Sequence, residues 1–137
     1  MITQKILDQL TFKIIGCVIE VHKELGPGLL EKVYEKCLIQ ELKAANLAIT
    51  YQQNIPVLYK GAYVDCDLRY DILVEDLIVL ELKSVEKMLP LFDAQLLTYM
   101  KLLKVPKGIL INFNVRSIFK EGQKTFVNEL FSQLPKQ

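Results

Sequence analysis

Two mostly apolar runs limit most strongly what this chain can fold into. Residues 77–83 and residues 108–113 are each long enough for one strand and carry few polar side chains. Such runs are typical of strands that are buried on both faces of a sheet. Residues 91–104, which lie between them, carry apolar side chains at helical spacing, and a helix between two strands indicates that the strands run parallel. The sequence therefore predicts an α/β protein with a central sheet flanked by helices.

Two amphipathic helices are predicted ahead of these strands. Residues 4–25 and residues 29–45 repeat apolar side chains at steps of three and four, which is one face of a helix. Between them, Gly26-Pro27-Gly28 ends the first helix, because proline lacks a backbone donor and glycine allows a sharp turn. The short link indicates that the two helices pack together. The predicted apolar positions are Ile6, Leu10, Ile14, Cys17, Val21 and Leu25 in the first helix, Leu30, Val33, Tyr34, Cys37, Leu38, Leu42 and Ala45 in the second, and Leu91, Ala94, Leu96 or Leu97, Met100 and Leu103 in the third.

Residues 64–72 alternate between apolar and charged side chains, which predicts one half-buried strand. Glu75-Asp76 is the predicted turn into residues 77–83. A turn of two residues would place Asp71 opposite Leu80, whereas a turn of three would place it opposite Glu81, and the sequence does not decide between them. A short C-terminal helix is predicted from Phe126, Leu130, Phe131 and Leu134.

Charged residues at the end of the apolar run 77–83 carry the candidate chemistry. Glu81 and Lys83 are two residues apart, so their side chains leave the same face of the strand. In either register Asp71 lies within one residue of Glu81, and opposed strand residues begin roughly 5 Å apart at Cβ. Two carboxylates at that separation suit Mg²⁺, which prefers oxygen ligands. We therefore predict Asp71 and Glu81 as metal ligands. The alternative is that Asp71 is a solvated strand residue and that Glu81 and Lys83 form a simple ion pair.

Glu31 is a further candidate acid. It begins the second helix and lies at the edge of the apolar face that contains Tyr34, Leu38 and Leu42. The helix dipole favours a carboxylate in the first turn, which is one explanation of its position. The other is that Glu31 points towards the predicted metal site.

Several of these segments together resemble the GxxExxY protein family. Gly28-Leu29-Leu30-Glu31-Lys32-Val33-Tyr34 matches its Gly-x-x-Glu-x-x-Tyr signature. The segments Glu81-Leu82-Lys83-Ser84, Gln95-Leu96-Leu97-Thr98-Tyr99 and Gly108-Ile109-Leu110-Ile111-Asn112-Phe113 follow in the order that the family shows. The resemblance covers about residues 5 to 115. That family is grouped with the PD-(D/E)XK nuclease superfamily.

The resemblance implies a mixed sheet flanked by helices and a nuclease centre that depends on Mg²⁺ or Mn²⁺. It assigns the catalytic roles to Glu31, Asp71, Glu81 and Lys83, with Asp71 and Glu81 on the metal. It implies supporting or substrate-binding roles for three further residues, namely Gln95, Tyr99 and Tyr34. In one departure from the superfamily name, Tyr70 stands where a proline is usual, but that position is not a ligand.

Length and composition leave the function open between three hypotheses. The 137 residues predict one domain over 1–137, and the N-terminus lacks the layout of a signal peptide. No apolar run is long enough to span a bilayer, so we expect a cytoplasmic protein. The net charge of +1 is small for a dedicated nucleic-acid binder. The hypotheses are a nuclease acting on DNA more than RNA, a non-catalytic nucleic-acid or protein-binding module, and a subunit active only as a homodimer or in a larger assembly.

The remaining reactive side chains are predicted to be structural. Cys17, Cys37 and Cys66 contain no Cys-x-x-Cys pair, so we expect three reduced thiols in or near the core rather than a zinc site. His22 is the one histidine of the chain. It lies near the end of the first helix, and we expect a structural role for it.

Overall fold

The structure is a computed structural model that describes residues 1–137. Two helices come first, strands follow, and a helix lies between the two mostly apolar strands, as the apolar patterns predict. In chain order the elements are α1 (Gln4–Leu25), α2 (Glu31–Ala44), β1 (Ile49–Tyr51), β2 (Val57–Tyr59), β3 (Ala62–Val64), β4 (Ile72–Val74), β5 (Ile78–Lys83), α3 (Pro90–Leu103), β6 (Lys107–Asn112), a π-helical turn (Ile118–Gly122), β7 (Gln123–Val127) and α4 (Glu129–Ser132).

The main sheet has five strands in the order β1-β4-β5-β6-β7. Strands β5 and β6 run parallel, and the other neighbouring pairs are antiparallel. The predicted α/β class with a mixed central sheet is therefore confirmed. Because β5 and β6 are parallel, their carboxyl ends lie at the same edge of the sheet, where Lys83 is in register with Asn112.

Helices cover both faces of the sheet, which produces two separate hydrophobic clusters. On one face, Ile78, Leu80 and Leu82 of β5 pack with α1 and α2. On the other face, Val79 packs with Leu96 and further residues of α3. The alternation along β5 therefore directs Glu81 and Lys83 towards the α3 side.

Residues 49–74 form a long bent hairpin whose base is in the main sheet. The predicted strand 64–72 is wrong as one element: it is divided between β3 and β4, and the segment between these strands forms only an isolated bridge, from Arg69 to Asn54. Strands β2 and β3 form a separate two-stranded sheet. No helix covers this distal part, so Val64 and Cys66 are exposed rather than buried. Cys66 therefore lies outside the core, contrary to the prediction.

The buried faces of the helices differ in part from the predicted stripes. In α1 the fully buried line is Leu7, Ile14, Val18 and Val21, and Ile6 and Leu25 are exposed. In α2, Leu30 precedes the helix and is 77% exposed, while Val33 is also exposed. In α3, Leu96, Tyr99 and Met100 are buried, whereas Leu91, Ala94 and Leu97 are exposed.

The C-terminal segment is only partly helical. Phe126 belongs to the edge strand β7 instead of the predicted helix, and α4 is one short turn. The side chain of Asn128 begins that turn by accepting hydrogen bonds from the backbone N–H groups of Leu130 and Phe131, which is the usual role of an N-cap residue. No helix in the structure combines the length and the apolar character that crossing a bilayer requires.

Candidate active site

The turn between β4 and β5 decides how Asp71 and Glu81 meet. Its residues Glu75 and Asp76 both have positive φ, and the N–H of Leu77 donates to the carbonyl of Val74 at 2.9 Å. The loop is therefore the three-residue alternative, and β4 and β5 pair with Ile72 opposite Leu80. One residue further along that register, Asp71 lies beside Glu81.

Hydrogen bonds fix both carboxyl groups at the point where β4 begins. The backbone N–H of Asp71 donates to Oε1 of Glu81 at 3.2 Å, and the N–H of Leu82 donates to Oδ2 of Asp71 at 2.8 Å. No lysine or arginine forms an ion pair with either carboxyl group. Two acidic groups thus lie together without an ion-paired basic side chain.

Glu81 is only 6% exposed, and this burial makes its carboxyl group a much weaker acid. Desolvation, followed by the negative charge of Asp71, raises the pKa of Glu81 from 4.5 to about 8. A carboxyl group this deeply buried is costly to ionise unless a cation compensates its charge. The pair is therefore suited to bind a cation whose arrival displaces the proton of Glu81.

Glu31 and Lys83 lie within electrostatic range of this pair. Burial raises the pKa of Glu31, the Lys83 ammonium opposes that shift and Asp71 adds to it. The Nζ atom of Lys83 lies 4.4 Å from the ring centroid of Phe92 at the start of α3, within the range of a cation–π contact. The four predicted catalytic residues thus converge on one edge of the sheet, from α2, the β4–β5 hairpin and β5.

Gln95 and Tyr99 form a hydrogen-bonded pair one helical turn apart on α3. The Nε2 group of Gln95 donates to the Tyr99 hydroxyl at 2.9 Å. Burial raises the pKa of Tyr99, the Glu81 carboxylate adds to the shift, and the hydrogen bond from Gln95 lowers it. The Tyr99 hydroxyl therefore lies on the Glu81 side of the site.

Tyr34 is fully buried beneath the link between α1 and α2. Its ring stacks on Phe113 with centroids 4.3 Å apart. Its hydroxyl donates to the carbonyl of Gly26 at 2.5 Å and accepts from the N–H of Leu29 at 3.1 Å. Tyr34 is thus placed to hold the link that precedes Glu31, and its burial leaves it no direct access to a substrate.

We expect Tyr34→Phe to lower the free energy of unfolding by roughly 1–2 kcal/mol, because both hydrogen bonds to the link are lost while the stacked ring remains. Chemical denaturation of the two proteins measures this difference. Tyr63→Phe is a matched control, because Tyr63 is 75% exposed. A Tyr34→Phe protein as stable as wild type would show that the hydroxyl does not stabilise the link.

Two residues that line the site, Glu35 and Gln52, were not predicted from the sequence. Glu31, Glu35, Gln52 and Asp71 all border one cleft of about 320 Å³ between α2 and the hairpin base. The Nε2 group of Gln52 donates to Glu35 Oε1 at 2.5 Å and to Asp71 Oδ1 at 3.3 Å. Glu35 lies one turn after Glu31, and that spacing was the available signal. Gln52 had no signal, because its contacts join segments far apart in the chain.

Asn112 is a third residue to which the sequence patterns assigned no role. Its side chain pairs with the backbone of Val85, accepting from the N–H at 3.1 Å and donating to the carbonyl at 3.0 Å. The Asn112 amide therefore makes the two hydrogen bonds to Val85 that the backbone of a neighbouring strand would make. It fixes the segment that leads from Lys83 towards α3.

The site contains a pair of carboxylates rather than a complete protein cage for a metal. No group of three or more histidine, cysteine, aspartate or glutamate residues is positioned to hold an ion. The two carboxyl groups fit Mg²⁺ better than zinc, because Mg²⁺ usually takes one or two carboxylates and fills its other positions with water and substrate oxygens.

Comparison with known families agrees with this geometry. A family model of the PD-(D/E)XK nuclease superfamily matches residues 8–126. The chain belongs to the PD-(D/E)XK nuclease superfamily. Searches of curated proteins and of solved structures found no significant match. The superfamily match includes α2, the β4–β5 hairpin and α3, so every residue of the candidate site lies inside it, whereas membership of the narrower GxxExxY family stays a prediction.

Proposed function

We propose that this protein is a metal-dependent nuclease that hydrolyses phosphodiester bonds of DNA, or less readily of RNA, with Mg²⁺ or Mn²⁺ as its cofactor. The observation that carries the proposal is the hydrogen-bonded Asp71–Glu81 pair, in which Glu81 is buried, neither carboxyl group forms an ion pair with a lysine or arginine, and the Lys83 charge acts on Glu81. The superfamily assignment supports the same reaction class. We expect the protein to act as one domain over residues 1–137 in the cytoplasm.

Each residue of the site has a separate task in this proposal. Asp71 and Glu81 would hold the divalent cation, which, when bound, lowers the pKa of a water molecule and neutralises charge on the phosphate. Lys83 would place its ammonium next to the attacked phosphate and stabilise the negative charge that develops there. Glu31, at the start of α2, would orient the attacking water.

The Gln95–Tyr99 pair and the cleft residues have supporting tasks. The Tyr99 hydroxyl lies on the Glu81 side of the site, where it would orient Glu81 or a substrate phosphate. Tyr34 would act from below by holding the link in front of Glu31. Gln52 would restrain the Asp71 carboxylate through its contact with Oδ1.

A non-catalytic binding module is the second candidate, and the net charge of +1 favours it, because nucleases that grip a duplex alone usually carry a basic excess. In a homodimer or larger assembly, a second copy or a partner would add a further surface for gripping the duplex. These alternatives differ from the main proposal in whether the isolated chain cuts.

The experiment that tests the proposal is a cleavage assay with wild type and Lys83→Ala. Single- and double-stranded DNA and RNA are offered with Mg²⁺, with Mn²⁺ or with EDTA. We expect cleavage that needs the metal and that falls at least about a hundredfold in Lys83→Ala, because the ammonium acts on the reacting groups.

Lys87→Ala is the control for this assay, because Lys87 is an exposed lysine four residues further along the same segment. It should cut as wild type does. If folded wild-type protein cuts none of the substrates, the binding-module hypothesis or the assembly hypothesis replaces the nuclease. If Lys83→Ala cuts as fast as wild type, the assigned site is wrong.

A further inference from the structure

A cationic cleft lies at the carboxyl end of α1, outside the carboxylate site. His22 and Lys23 line it from the helix, and Arg116 and Phe119 line it from the segment that follows β6. No acidic side chain borders the cleft. Lys23 and Arg116 are exposed, and neither forms an ion pair within the chain. Their charges are therefore free to bind an anionic partner.

This cleft opens at the same edge of the sheet as the carboxylate site. The N–H of Phe113 donates to the carbonyl of Lys83 at 2.9 Å, which joins the ends of β6 and β5. Val115 follows two residues later, a distance of at most about 8 Å along the chain. There the Nε2 group of His22 donates to the Val115 carbonyl at 2.8 Å. His22 thus attaches the segment that carries Arg116 to α1.

The helix dipole alone does not explain this cleft. It accounts for basic residues such as Lys23 in the last turn of α1, but Arg116 and Phe119 belong to a different segment. Phe119 is 72% exposed in the π-helical turn. Exposed aromatic rings next to cations are typical of surfaces that bind nucleic-acid strands, where the cations contact phosphates and the rings stack on bases.

We propose that Lys23 and Arg116 bind the phosphodiester backbone of a nucleic-acid strand next to the carboxylate site, with Phe119 stacking on one of its bases. The proposal rests on the proposed nuclease function and identifies where that function holds its substrate. His22 is a positioning residue in this arrangement, because it fixes the Arg116 segment without contacting the strand. The small net charge of the chain does not oppose the proposal, because these contacts need only a local pair of cations.

Equilibrium binding in EDTA tests the proposal without any cleavage. Fluorescently labelled single-stranded and duplex DNA oligonucleotides are titrated with wild type, Lys23→Gln, Arg116→Gln and the double variant at several salt concentrations. Each lost phosphate contact should weaken single-strand or duplex binding about five- to eightfold at roughly 0.1 M salt and should make the salt dependence shallower by about 0.7–0.9. Phe119→Ala should weaken binding to the single strand at every salt concentration without changing that slope.

Lys101→Gln is the matched control, because Lys101 is exposed near the carboxyl end of α3, close to the amino end of β6 at the opposite edge of the sheet. It should bind as wild type does. If all the variants bind equally, the cleft is not the strand-binding surface, while metal-dependent cleavage in the separate assay would still support the nuclease. If wild type neither binds nor cleaves nucleic acid, both proposals fail and an acidic protein partner becomes the better explanation of the cleft.

Discussion

Replacing Asp71 by asparagine is expected to reduce cleavage by about a thousandfold or more. A divalent cation contributes several kcal/mol of charge stabilisation to a phosphoryl reaction, and each tenfold in rate corresponds to about 1.4 kcal/mol. Asparagine keeps an oxygen that accepts the hydrogen bond now made from the N–H of Leu82 to Asp71 Oδ2. The fold should therefore persist while the negative charge is lost.

The measurement is the initial rate of cleavage under single-turnover conditions, together with calorimetric titration of Mg²⁺ into the free protein. Asp76→Asn is the matched control, because Asp76 is an exposed turn residue at the other end of β4. Its positive φ is a conformation that asparagine adopts readily. Undiminished cleavage by a folded Asp71→Asn protein would remove Asp71 from the metal site.

Replacing Glu81 by glutamine is expected to make the metal-free protein more stable than wild type at alkaline pH. The pKa of Glu81 is about 8 in the folded protein and about 4.5 as the ordinary value. Between these values the folded state binds more protons than the unfolded state, so the stability contributed by neutral Glu81 is present at low pH and is lost as pH rises through 8. From pH 6 to pH 8 wild type should lose roughly 2–3 kcal/mol on this account.

Glutamine carries no titratable proton, so the Glu81→Gln protein should not show this loss. Urea denaturation in EDTA at the two pH values measures it, with Glu86→Gln as the control at an exposed glutamate of the next segment. In wild type, addition of Mg²⁺ at pH 8 should restore stability, because a ligand that binds only the folded state stabilises it. A wild-type protein whose stability is the same at both pH values would contradict the raised pKa of Glu81.

The apolar patterns predicted the core of the sheet because burial on both faces leaves few alternatives. Strands β5 and β6 are apolar along most of their length and are joined through a helix, so their parallel pairing follows from the order of elements. The spacing of Glu81 and Lys83 likewise follows from the period of a strand. These features depend on local sequence and on one long-range pairing.

The apolar pattern of the sequence could not predict features that depend on exact backbone geometry. The three-residue turn has positive φ at Glu75 and Asp76. Neither residue type indicates that conformation in a sequence as strongly as glycine does. All but one of the steps in the predicted α1 stripe are four residues long, and each such step drifts by about 40° around a helix. The buried line therefore follows Leu7 and Val18 rather than Ile6 and Leu25. Gln52 reaches Asp71 because the β1–β4 register places the two residues opposite each other, and this pairing of segments far apart in the chain is not encoded locally.

The separation of the two hydrophobic clusters has a consequence for how the protein opens. Glu31 is carried by a helix that packs in one cluster, and Tyr99 by a helix that packs in the other. Segments that pack in different clusters are candidates for independent local unfolding. In hydrogen exchange, α3 and α2 should then open in separate events in the metal-free protein. An ion or a nucleic-acid strand that contacts residues of both helices would make α2 and α3 open together. The bound site would then couple the unfolding of the two hydrophobic clusters.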